Sequence, residues 1–265
     1  MRSFYYPFLV GIEQGAEELG YDLLLFSSTL SSDGRRRIYH DGVNRLQVAD
    51  GAVLLGWPHD RSEVERLAAE NFAFTYVGRR EIGDSPISYA AADYAGATRE
   101  VVEHLACLGH ERILYLASLE QREANVDRQE GFRQAHEILN LPLEPDFCRH
   151  ALPEDVTPRK LHDWLNEGYT VLVVEDDILA KPILKVAEGA GLAIPGNFSL
   201  AVLGDALFYT EDTPDWTTFR IPRNEMGRQA ARLLIEMLED PRPSKPRQAV
   251  LPCLFQPGST TGRRR

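Results

Sequence analysis

Cysteine is scarce in this chain: Cys107, Cys148 and Cys253 are its only three, odd in number and far apart. That excludes a disulfide framework and a zinc knuckle, and a reducing compartment, the cytoplasm, is expected. Long apolar runs are missing as well, since no uninterrupted stretch reaches the roughly 18 residues of a membrane span. The opening Met1-Arg2-Ser3-Phe4 lacks the charged, apolar and small-residue sections of a secretory signal. Positive charge is in deficit: the net charge is −11, so the surface repels phosphates and the chain by itself is not expected to bind DNA. The basic runs Arg35-Arg36-Arg37 and Arg263-Arg264-Arg265 read as a solvated face and a frayed end. Walker A, the dinucleotide glycine fingerprint, G-x-S-x-G and H-E-x-x-H are all absent, which argues against an enzyme and calls for no cofactor. The seven histidines are scattered, with surface or capping roles expected rather than metal ligation.

What the chain does have is an apolar share of 43% over 265 residues, enough for one large domain or two lobes. Helical and strand-like segments alternate. Helices are expected over Phe8 to Leu19, Arg35 to Leu46, Ser62 to Ala69, Ala97 to Cys107, Gln129 to Leu139, Pro158 to Asn166, Ile178 to Ala190 and Asn224 to Glu239. Between them lie short apolar runs: Tyr21 to Ser27, Gly51 to Leu55, Ala73 to Val77, Arg112 to Ala117, Thr170 to Val174 and Ser199 to Leu203. Continuous Val, Ile and Leu runs separated by helices are the mark of strands buried on both faces and paired in parallel. The fold class is therefore α/β, doubly wound.

In open parallel sheets a ligand binds beyond the carboxyl ends of the strands, where loops and helix N-termini converge. That rule selects Leu55-Gly56-Trp57, Gly78-Arg79-Arg80, Glu175-Asp176-Asp177 and Gly204-Asp205. The acidic triplet opens a helix, so N-capping and ligand hydrogen bonding are expected of it rather than metal binding or acid–base work. Arg79, Asp176 and Asp205 beside a Trp or Tyr face have the composition of a pocket for a polyol or small anion.

Several segments resemble the lactose-repressor (LacI/GalR) family of transcription regulators, and the likeness runs over nearly the whole chain. They are GIEQGAEELGYDLLL with Asp50-Gly51, Asp93 to Ile113 (DYAGATREVVEHLACLGHERI), Arg128 to Phe132 (RQEGF) and Ile194 to Leu200 (IPGNFSL). Thr217 to Arg220, Glu225-Met226-Gly227 and Gly258-Ser259-Thr260 complete the series. The resemblance implies two doubly wound lobes of the periplasmic-binding-protein type, joined by three crossovers near Ala92, Arg220 and Arg247. One lobe would hold 1–91 with 221–246, the other 92–220 with 247–265. It also implies a small-molecule effector in the cleft, a homodimer, and DNA contact only through a helix-turn-helix headpiece. That headpiece, and an opening strand ahead of Phe4, are expected of the family and not found in this sequence, so a shortened N-terminus is expected.

Carried over position by position, the resemblance makes Phe4 and Tyr5 an aromatic pair that stacks on effector, Arg79 an arginine after a strand, and Arg128 the cleft arginine. Departures stand at Gly78, Asp176, Gly204 and Ile221; Asp205 replaces the carboxylate lost at Gly204. A sugar needs several planar acceptors and this cleft offers fewer, while Arg79 and Arg128 suit an anionic or phosphorylated ligand. The expected site is Phe4, Tyr5, Trp57, Arg79, Arg128, Asp176 and Asp205. Alternative readings are a solute-binding protein feeding a transporter, and a core that dimerises without effector.

Overall fold

The apolar runs Ile113 to Ala117 and Val171 to Val174 are buried at every position, so both faces of their sheet need helical cover. The computed structural model describes residues 2–27, 37–56, 60–82, 86–119, 122–205, 214–240 and 246–264. In chain order the elements are α1 (Arg2–Glu18), β1 (Tyr39–His40), β2 (Val43–Asn44), β3 (Ala52–Leu54), α2 (Arg61–Ala69), β4 (Phe74–Val77), β5 (Tyr89–Ala92), α3 (Tyr94–Cys107), β6 (Ile113–Ala117) and α4 (Glu123–Leu139). They continue as β7 (Cys148–His150), α5 (Pro158–Asn166), β8 (Val171–Val174), α6 (Asp177–Gly189), β9 (Ser199–Val202), β10 (Thr218–Arg220), α7 (Arg223–Glu239), β11 (Gln248–Leu251) and β12 (Leu254–Gln256).

The chain divides into two compact units, Met1–Ala92 with Pro222–Leu251, and Asp93–Ile221 with Pro252–Arg265. The first is built on a parallel sheet in the order β11-β5-β4-β3. Its α7 packs on that sheet and against α1, and the Thr75 hydroxyl of β4 donates to the Ala230 carbonyl at 2.9 Å. The third crossing comes a few residues after the expected Arg247, because β11 pairs with β5 from Gln248 opposite Tyr89 to Leu251 opposite Ala92.

The second unit has a parallel sheet in the order β7-β6-β8-β9. Its core gathers Leu114, Leu116, Trp164, Leu172, Val174 and Phe198. Antiparallel β10 and β12 pair separately, and the C-terminal tail runs along β9, where the Leu200 N–H reaches the Thr260 carbonyl at 2.9 Å.

Three expectations are corrected. Tyr21 to Ser27 is not a strand over the described residues Tyr21 to Ser27: Leu23, Leu24, Leu25 and Phe26 are 47%, 61%, 69% and 39% exposed. An apolar run becomes a strand only where a neighbour offers a ladder, and the described sheet ends at β3. Arg35 to Leu46 is not helical where described: β1 and β2 form a hairpin, with Asp41 and Gly42 at φ 48° and 78°. Positive φ at both central residues suits the type I′ turn for which Asp-Gly is a strong signal. Arg35 and Arg36 lie outside the described residues. Finally His110 and His136, expected at the surface or in caps, are 2% and 1% exposed.

Candidate functional site

In the second unit the carboxyl ends of β8 and β9 bring Arg128, Asp176 and Asp205 to one edge of the sheet. Arg128 lies inside α4, which begins six residues ahead of the expected Gln129. Its Nε donates to the Leu203 carbonyl at 3.0 Å, its Nη1 to the Ala124 carbonyl at 3.3 Å, and the guanidinium lies 4.3 Å from the centroid of the Tyr94 ring. Asp205, two residues after Leu203, accepts from the Ile221 N–H at 3.0 Å. Between them Gly204 has φ 129°, and a Cβ there would lie 3.5 Å from both Arg128 Nη2 and Ile221 Cδ1. The conformation suits glycine, and a larger residue would press on the arginine.

Asp176 caps α6 as the triplet's position suggests, accepting from the Leu179 N–H at 3.0 Å. Burial raises its carboxyl above the ordinary value of 3.8, aided by the like charges of Asp177 and Glu175 and opposed by the Leu179 N–H and Arg128. Asp177 is buried and pairs with Lys181 at 2.6 Å.

Sequence reasoning missed the different role of Glu175. It is 2% exposed and accepts at one oxygen from Tyr115 Oη at 2.9 Å and Gln129 Nε2 at 3.3 Å. The other oxygen accepts from Ser118 N–H at 2.9 Å, Ser118 Oγ at 3.3 Å and Asn125 Nδ2 at 2.6 Å. The Tyr115 hydroxyl is pushed well above its ordinary 10 by burial and by the Glu175 charge. Tyr94 was missed too; the signal was its place directly after Asp93, whose carboxylate caps α3 through the Gly96 N–H at 2.7 Å.

In the first unit Phe4 and Tyr5 lie on α1, because the helix begins at Arg2, ahead of the expected Phe8, and carries Pro7 inside it. Their rings meet edge-on at 5.2 Å, and the Arg223 guanidinium lies 5.0 Å from the Phe4 centroid. The Tyr5 hydroxyl lies beside Gly56, past the end of β3, where a Cβ would come within 3.0 Å of it. Arg79 follows β4 as expected and pairs with Glu81. Trp57 lies outside the described residues. A groove of about 420 Å³ between the hairpin and α2, lined by Arg37, Tyr39, Glu63 and Arg66 among others, includes none of the expected residues. Its charges face one another, Arg37 with Asp60 at 3.1 Å and Arg66 with Glu70 at 2.7 Å. Among the described residues no three His, Cys, Asp or Glu side chains converge as a metal site, and no helix is long and apolar enough to cross a membrane.

Residues 102–261 match the family described as the periplasmic binding protein-like domain. The chain is 32% identical over 258 residues to the arabinose metabolism transcriptional repressor of Geobacillus stearothermophilus, covering 90% of this chain and 68% of that protein. A solved LacI transcriptional regulator of Bacillus cereus subsp. cytotoxis NVH 391-98 superposes with TM-score 0.77 at 20% identity, over 99% of this chain and 93% of that one. The complex of the transcriptional regulator CelR with cellobiose gives TM-score 0.77 at 23% identity, over 97% and 79%.

Proposed function

The chain belongs to the periplasmic-binding-protein-like family as the effector-binding domain of a LacI-type transcription regulator, and from that premise we propose that it binds a neutral sugar or sugar-like polyol as its effector. Such a ligand acts by its different affinity for two arrangements of the units, and a homodimer passes that difference to the DNA through headpieces outside this chain. The regulator then works in the cytoplasm. The relatives compared are transcription regulators rather than enzymes, and they lend no support to a transporter-feeding role.

The observation that carries the ligand class is the grouping at the second unit's sheet edge. A guanidinium stacked on Tyr94 stands with Asp176 and Asp205, which are charge-assisted donor and acceptors around an aromatic wall. The anionic alternative needs converging cations, and Arg79 already pairs with Glu81. Within the first unit, the aromatic pair Phe4 and Tyr5 has the chemistry to stack on a sugar face. Arabinose, named in the repressor at 32% identity, and cellobiose, bound by CelR, are the first probes. Ligand at a hundred times its Kd adds about 2.7 kcal/mol of stability, so a thermal-shift titration should give a saturable rise with a neutral sugar. A rise only with sugar phosphates, or with none of either class, contradicts the reading.

A further inference from the structure

Glu175 is a buried carboxylate that pairs with no Lys or Arg among the described residues. Instead it collects neutral donors from three segments: Tyr115 on β6, Ser118 on the loop that follows, and Asn125 and Gln129 on α4. Burying a charge is costly unless hydrogen bonds replace its water, and an apolar side chain would fill the same space without that penalty. What the carboxylate adds over an apolar filler is direction, because each donor is held at a fixed angle.

The donors single out one stretch. The N-cap of α4, Arg122, makes no side-chain cap hydrogen bond; its carbonyl accepts from the Asn125 and Val126 N–H groups at 2.9 and 3.0 Å. Asn125 and Gln129 are one turn apart, and Arg128 lies between them in sequence. Two pins one turn apart set the rotation of a helix about its axis, and with it the bearing of neighbouring side chains. The second half of α4 is held differently: Phe132 is fully buried, and Gly131 passes so close to α3 that a Cβ would lie 2.2 Å from the Ala95 carbonyl oxygen.

We propose that Glu175 is a positioning residue of the ligand site, a buried anchor that fixes the first two turns of α4 and through them the direction of Arg128. The inference rests on the reading of Arg128 as a ligand contact, although its structural half does not.

Two measurements on Glu175→Gln separate the parts. This change keeps the shape but turns an amide N–H₂ towards groups that donate. In amide hydrogen exchange, residues 118–129 should exchange about ten-fold faster than in the parent protein while residues 131–139 keep their protection. Unchanged exchange in 118–129, or acceleration throughout the unit, overturns the proposal. In calorimetric titration with arabinose, Glu175→Gln should weaken binding about ten-fold, and the double variant with Arg128→Ala should bind no more weakly than Arg128→Ala alone. Additive losses would mean that Glu175 acts independently of Arg128 and would also overturn it. Absence of arabinose binding in the parent protein would count against the ligand reading alone, and the exchange measurement would still decide the anchor.

Discussion

At the scale of single residues, missing Cβ atoms set how the helices meet. In the first unit Gly11 and Gly227 let α1 and α7 touch backbone to backbone, since Cβ atoms there would lie 1.8 Å from the Asn224 oxygen and 2.2 Å from the Phe8 oxygen. Gly131 does the same for α4 against α3 in the second unit. Gly131→Ala should therefore destabilise the protein by about 1–3 kcal/mol through overpacking, read from the midpoint of urea unfolding; a midpoint equal to the parent's would refute the close contact. Residue-scale chemistry was partly legible. The strand-end rule selected Asp176 and Asp205, and the structure places them just after β8 and β9. Glu175 was not separable from its acidic neighbours, because its role depends on partners up to 60 positions away. Tyr94 likewise shows its stacking role only once α3 and α4 are packed.

At the scale of elements, buried helices and central strands were readable because their apolar spacing is set by cover on one face or both. Short edge strands were not: β7, β10, β11 and β12 run three or four residues and lie partly exposed, so their spacing carries little signal. Tyr89–Ala92 is buried throughout, yet three of its four residues are alanine, a poor strand former. The converse error was Tyr21 to Ser27, apolar but unpaired. Leu24→Lys should leave stability within about 0.5 kcal/mol of the parent, as an exposed site allows. Leu67→Ala, at a position with 0% exposure, should cost about 2–5 kcal/mol. Chemical denaturation of both variants checks the contrast, and a large loss for Leu24→Lys would place that segment in a core.

Another element-scale device is the fastening of the C-terminal tail. His110 Nδ1 lies 2.8 Å from Thr170 Oγ1, and Nε2 lies 3.1 Å from Ser199 Oγ and 3.0 Å from the Gly262 carbonyl oxygen. Burial lowers the His110 pKa below its ordinary 6.5, against the Gly262 bond that raises it and with Arg264 and His104 adding repulsion. His136 is lowered by burial as well. Between the folded and unfolded values the unfolded chain binds more protons, so stability is full above 6.5 and declines as pH falls from there towards the folded values. The melting temperature should drop between about pH 7 and pH 5, before exposed carboxylates protonate, and His110→Asn should flatten that drop. An unchanged profile in His110→Asn would remove His110 from the account.

At the scale of the whole molecule, composition excluded more than it specified. A net charge of −11 fits a sensing core rather than a DNA-contacting surface, and alternating apolar runs indicated the α/β class. Ordered motifs such as LGHERI and GST then carried the family. The division into two units with returning segments is a property of chain path, and local patterns mark it only through the short strand β11, whose partner β5 lies far away in sequence.

The proposed sugar binding stands or falls on whether Arg128 and Tyr5 contribute to it. Isothermal titration calorimetry tests it most directly, using arabinose and cellobiose on the parent protein, Arg128→Ala from the second unit and Tyr5→Ala from the first. Saturable binding of a sugar by the parent is expected, weakened by about 1.5–3 kcal/mol in Arg128→Ala, where charged hydrogen bonds are lost, and measurably weakened in Tyr5→Ala. No saturable heat with either sugar, or parental affinity in both variants, would contradict it.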